Sequence, residues 1–159
     1  MTKNASELRK NEPFIRKNPT PKDQMHCILY VVKASSNLST KVSPVVELMQ
    51  DVRQLILEDD VRQFALVTHI DKVGVPKDDM VNALQYSCVY DICQKVSEVF
   101  QLPQSHVIPV SNYFDSEDPG DAKNAMALKA FWRIFKSGRD YIRENWGDEN
   151  LFEGHDSSE

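Results

Sequence analysis

Two kinds of apolar run alternate along the chain. His26 to Ala34 (HCILYVVKA) is nearly continuous and rich in β-branched and aromatic residues. Its length and lack of alternation predict a strand covered on both faces, as in a parallel sheet. Ser43-Pro44 then marks a helix start, with Ser as cap and Pro at the first helical position. Val45, Leu48, Met49, Val52, Leu55 and Ile56 follow at helical spacing and are expected to face inward. Gln63 to Thr68 reads as a second buried strand. Asp78 or Asp79 can cap a second helix reaching about Phe100, with Leu84, Cys88, Ile92, Val96 and Val99 inward and Leu102-Pro103 beyond its end. His106 to Val110 (HVIPV) is a third short strand, where Pro109 lacks a backbone donor and points to a sheet edge or a bulge. The last helix spans about Ala122 to Asn145, its apolar face formed by Leu128, Phe131, Trp132, Phe135, Tyr141 and Ile142.

Strand, helix, strand, helix, strand, helix is the signature of an α/β fold with parallel strands and right-handed crossovers. The flanks differ from this body. Residues 1–24 are polar, carry Pro13, Pro19 and Pro21, and read as an extended arm. Residues 147–159 read as a disordered acidic tail, which leaves 25–146 as the folded domain.

Composition narrows the functional classes. The chain has 159 residues, 41% hydrophobic and 27% charged, as an ordinary globular domain does. A net charge of −5 argues against a general nucleic-acid binder. No apolar stretch is long enough to span a membrane, and the first residues lack the hydrophobic segment of a signal peptide. The three cysteines form no C-x-x-C pair; Cys27, Cys88 and Cys93 are expected as reduced thiols of a cytoplasmic protein. Asp115, Glu117, Asp118 and Asp121 do not follow a calcium-loop spacing and read as a solvated acidic loop. No metal site is expected.

The second strand ends in Thr68-His69-Ile70-Asp71, and Ser111-Asn112-Tyr113 follows the third. In open parallel sheets ligands bind beyond the carboxyl ends of the strands, so both groups stand where a site would form. A strand ending in Thr-x-x-Asp is how GTPase-type domains present a carboxylate to the N1 and N2 donors of guanine. His69 stands where such domains carry Lys. No G-x-x-x-x-G-K-[ST] run occurs in the chain. A receiver-type signalling domain also alternates strands and helices, but the acidic cluster and phospho-accepting Asp it needs are not at the corresponding strand ends.

The segments Asn18-Pro-Thr-Pro-Lys-Asp23, His26-Cys-Ile-Leu-Tyr-Val-Val32, Leu66-Val-Thr-His-Ile-Asp-Lys72 and Val107-Ile-Pro-Val-Ser-Asn-Tyr113 together resemble the interferon-induced protein 44-like family. The resemblance implies a three-layer α/β domain with a mostly parallel sheet of P-loop NTPase type, of which this chain is the C-terminal half. It implies that Asp71 is the guanine reader of a base-recognition motif formed with Thr68 and His69, and that Ser111 and Asn112 lie in the loop offering N–H groups to the guanine carbonyl. It also implies that the P-loop half belongs upstream, in a longer form, or has been lost in a degenerate member. The expected function is a non-catalytic interaction module in the interferon response, with unknown protein partners, no nucleic acid and no membrane. GTP and Mg²⁺ would be cofactors only of a form that supplies the P-loop. The alternative is the C-terminal part of a genuine GTP-binding protein. If the first half of the sheet is missing, part of the apolar face of the last helix loses its cover and becomes a partner surface.

Overall fold

A computed structural model describes residues 20–35, 44–57, 60–112 and 120–147. Three strands, β1 (Cys27–Lys33), β2 (Arg62–Thr68) and β3 (Val107–Pro109), alternate with three helices, α1 (Pro44–Leu57), α2 (Ser87–Phe100) and α3 (Asp121–Trp146). The strands form one sheet in the order β1-β2-β3, both pairings parallel. The expected alternation and parallel sheet are therefore present. Ser43 lies outside the described residues, as do 1–19, most of the acidic loop (113–119) and 148–159. The described end of the arm is not extended: Pro21–Asp23 makes one 3₁₀ turn. Asp23 Oδ2 holds that turn by accepting from the N–H and the hydroxyl of Thr20 at 2.9 and 2.7 Å.

The central strand explains the core. Phe64, Ala65 and Val67 are buried on both sides of β2. On one face Ala65 and Val67 join Tyr30, Val32, Val46, Val89, Cys93, Val96 and Phe100, beneath α1 and α2. On the other, Phe64 and Ile108 meet Ala130 and Ile134 of α3. Tyr30 stacks on Phe100 with ring centroids 5.4 Å apart and donates its hydroxyl to the buried Gln63 Oε1 at 3.0 Å. One face of the sheet thus carries two helices, and the other carries one.

Three expectations about burial fail, for one physical reason: the sheet is narrow, and each helix contacts it along a thin row. In α1 the inward residues are Val46 and Met49, while Leu48 and Val52 are exposed. In α3 the inward row is Met126, Ala130, Ile134, Gly138 and Tyr141. The large apolar side chains expected as core lie elsewhere on that helix: Leu128 is 67% exposed, Phe131 64%, Trp132 58% and Phe135 52%. β1 is not covered on both faces either, since Val31 is 57% exposed.

The expected helix from residue 78 to residue 100 is broken. Lys77–Gln85 is a 3₁₀ segment with non-helical Asp79 and Asn82, and α2 begins only at Ser87. Asp79 holds the break by accepting from the Tyr86 hydroxyl at 2.6 Å and from Asn82 Nδ2 at 2.7 Å, a local side-chain bonding that competes with the helix. Leu84, expected inward, is exposed, whereas Met80 and Ala83 of the same segment are buried. At its other end α2 closes on Gln101 in the left-handed region (φ 51°). The N–H groups of Gln101 and Leu102 return to Glu98 and Ser97, the paired bonds of a Schellman cap.

Candidate functional site

Parallel pairing brings the carboxyl ends of all three strands to one side, so residues far apart in sequence meet there. The strand register sets Lys33 beside Thr68 and Val67 beside Pro109. The loops after β2 and β3 are then tied by the main chain: Val110 N–H donates to Val67 O at 2.8 Å and Ile70 N–H to Val110 O at 3.4 Å.

Thr68 ends β2 half as a strand residue and half as an anchor. Its hydroxyl donates to the Val32 carbonyl of β1 at 3.3 Å, and the N–H of Ala34 donates to the Thr68 carbonyl at 2.8 Å. His69 Nδ1 lies 3.0 Å from Thr68 Oγ1. His69 itself is left-handed (φ 61°, ψ 35°), a conformation uncommon for a residue with a side chain but populated by His. It turns the chain from β2 into the 3₁₀ turn Ile70–Lys72, which carries Asp71.

Two side chains from the loop after β3 close on this turn. Ser111, buried, donates its hydroxyl to Asp71 Oδ1 at 3.0 Å. Asn112 Oδ1 accepts the N–H of His69 at 3.2 Å. Thr68, His69, Asp71, Ser111 and Asn112 therefore converge, although the two groups lie 40 positions apart in sequence at their nearest. Ile70, between His69 and Asp71, is fully buried and fixes the turn to the core. The carboxylate of Asp71 is half-buried and keeps acceptor capacity beyond its bond to Ser111. The arrangement can present a fixed hydrogen-bond acceptor at the rim of the sheet.

The Ser111–Asp71 and Asn112–His69 contacts are the features of this cluster that sequence reading missed. That reading assigned Ser111 to the ligand through its N–H, and no local pattern signals a side-chain bond across 40 positions. Cys27 lies at the amino end of β1, the opposite end of the sheet from His69, so these two form no nucleophile–base pair. All three cysteines are free, and burial pushes the Cys93 thiol up to about 11. Among the described residues no group of three or more His, Cys, Asp or Glu side chains could hold a metal ion, and no helix is long and apolar enough to cross a membrane.

Fold and site define a small parallel α/β unit with polar residues gathered at the carboxyl ends of two adjacent strands. In sequence the chain is similar to interferon-induced protein 44 and interferon-induced protein 44-like. It is 25% identical to interferon-induced protein 44 of Mus musculus over 135 residues, 84% of this chain and 32% of the relative. It is 24% identical to interferon-induced protein 44 of Homo sapiens over 128 residues, 80% of this chain and 29% of the relative. For interferon-induced protein 44-like of Homo sapiens the identity is 22%, over 80% of this chain and 28% of the relative. The chain thus spans about a third or less of the length of these relatives. No protein-family model matches the chain, and no solved structure matches it.

Proposed function

We propose that this chain is an interferon-induced protein of the innate immune response that acts in the cytoplasm as a non-catalytic interaction module. In this reading it is built on the base-side half of a GTPase-like α/β domain of P-loop NTPase type. The observation that supports it most is the convergence of Asp71 and Ser111 at the ends of adjacent parallel strands, the geometry in which a carboxylate is held for a base edge. Its similarity to interferon-induced protein 44 supplies the biological setting.

Energetics separate this reading from a working GTPase. Hydrogen bonds to one charged carboxylate are worth roughly 1.5–3 kcal/mol, whereas a millimolar complex already needs about 4 kcal/mol. In P-loop proteins the phosphate cradle, its Lys and Mg²⁺ carry the remainder and the catalysis, and the sequence holds no such run. Isothermal calorimetry with GTP and with ATP, each with Mg²⁺, on this chain and on Asp71→Ala tests the proposal. No binding by a folded, monodisperse chain is the expected result. Micromolar GTP binding that Asp71→Ala abolishes would overturn it, because the phosphates would then be held by residues outside this cluster.

A second reading has one observation in its favour, the chain's span of about a third of its relatives. It makes this chain the C-terminal part of a GTP-binding protein whose P-loop lies upstream in a longer form, where GTP and Mg²⁺ would be cofactors. A transcript encoding a G-x-x-x-x-G-K-[ST] run ahead of residue 1 decides for it.

A further inference from the structure

The segment Thr20-Pro21-Lys22-Asp23 leads into the amino end of β1, at the opposite end of the sheet from the strand-end cluster. Proline disfavours helical backbone at the residue before it, so Thr20 stands outside the 3₁₀ turn Pro21–Asp23. Thr20, Lys22 and Asp23 are exposed. Three hydrogen bonds close the segment on itself. Asp23 Oδ2 accepts from the N–H and from the hydroxyl of Thr20 at 2.9 and 2.7 Å, and the N–H of Asp23 donates to the Thr20 carbonyl at 2.9 Å. One carboxylate oxygen therefore receives two of the three bonds, and one of those two needs the hydroxyl proton.

An exposed hydroxyl followed by Pro is the acceptor that proline-directed protein kinases modify, and Thr20-Pro21 supplies one with a basic residue, Lys22, next in line. Among the described residues no other Ser or Thr precedes a Pro. The Ser43-Pro44 pair has its Ser outside them.

We propose that Thr20 is a phosphorylation site and that phosphorylation opens this turn. The γ-phosphoryl group of a nucleoside triphosphate passes to Thr20 Oγ1. The bond from the γ-phosphorus to the nucleoside diphosphate breaks, an Oγ1–P bond forms, and the hydroxyl proton goes to the catalytic carboxylate of the kinase. Oγ1 then has no proton to give. The added group carries about 1.5–2 negative charges and hangs from an atom 2.7 Å from Asp23 Oδ2. Like charges so placed repel, and a phosphate set beside an acidic side chain disrupts the local structure. As Asp23 turns away, the Thr20 N–H loses its acceptor as well. The sheet is left folded, because β1 is held by its own ladder to β2 from Cys27 to Lys33. A Thr-Pro pair alone would take phosphate without consequence; the carboxylate makes it a switch on the lead-in to the first strand. No residue of the strand-end cluster enters this inference, so it stands apart from the base-edge reading.

Incubation of the full chain with a proline-directed protein kinase and Mg·ATP tests the site, with a Thr-Pro peptide as positive control. Mass spectrometry is expected to find phosphate on Thr20 in the wild type and none at that position in Thr20→Ala. Amide exchange followed by NMR reads the turn in the wild type itself. Phosphorylation is expected to speed exchange at Asp23 about tenfold or more, as loss of a charge-assisted bond implies, while Ala65 and Val67 of β2 keep their rates. Asp23→Asn keeps an acceptor without the charge, so there the phosphate-driven change is expected to shrink to about threefold or less. A chain left unmodified at Thr20 while the control peptide is phosphorylated would overturn the proposal. So would a phosphorylated chain with unchanged exchange at Asp23, or an acceleration equally large in Asp23→Asn.

Discussion

At the scale of single residues, the cluster at the strand ends is held by side chains that take over main-chain work. Asn112 satisfies the N–H of His69, which the left-handed turn removes from the β2 ladder. Asn112→Ala is expected to cost about 1 kcal/mol by leaving that half-buried donor unsatisfied, while Asn112→Asp keeps an acceptor and most of the stability. Urea denaturation of the three proteins checks this; an Ala variant as stable as the wild type would show that the bond contributes nothing. How much of the cluster was legible follows from the same residues. Thr68, His69 and Asp71 are contiguous and follow an apolar strand, so their place at a sheet end could be read directly. Ser111 and Asn112 could be placed at another strand end. That Ser111 bonds Asp71 and Asn112 bonds His69 could not be read, because both contacts depend on β3 lying beside β2 in one register. Cys93 was not in the inward row that helical spacing gave; the structure buries it, and its raised thiol pKa follows from that burial.

At the scale of elements, the break before α2 shows local chemistry overriding hydrophobic period. Leu84 falls in phase with Cys88 and Ile92, yet Asp79 draws Tyr86 and Asn82 into side-chain bonds and the helix restarts at Ser87. The Tyr86 bond, followed by that of Asn82, holds the Asp79 carboxyl below the usual range. A carboxyl depressed in the folded state contributes stability above its unfolded pKa, near 3.8, and loses it as pH falls through the folded value. Tyr86→Phe is therefore expected to lower the denaturation midpoint at neutral pH, with the gap to wild type narrowing below about pH 4. Chemical denaturation at neutral and acid pH measures both. A gap that is equal at the two pH values would mean that Tyr86 acts through packing, not through the carboxylate.

At the scale of the whole molecule, stability rests on one side of the sheet more than on the other. The face beneath α1 and α2 holds the larger cluster, including the fully buried Val67, Val89, Val96 and Phe100. Phe100→Ala is expected to cost about 3–5 kcal/mol, a large share of the roughly 5–15 kcal/mol that holds a domain together. Thermal and urea unfolding should show the loss; a cost under about 1 kcal/mol would mean that the Tyr30–Phe100 stack is peripheral. The sequence by itself determined the order of elements, their parallel character and the positions of Thr68, Asp71, Ser111 and Asn112 at strand ends, because period and punctuation are local properties of a chain. Only the tertiary structure decided which apolar side chains are core. Burial depends on what stands opposite, and among the described residues a three-stranded sheet with a single helix on one face sets nothing against Phe131, Trp132 and Phe135.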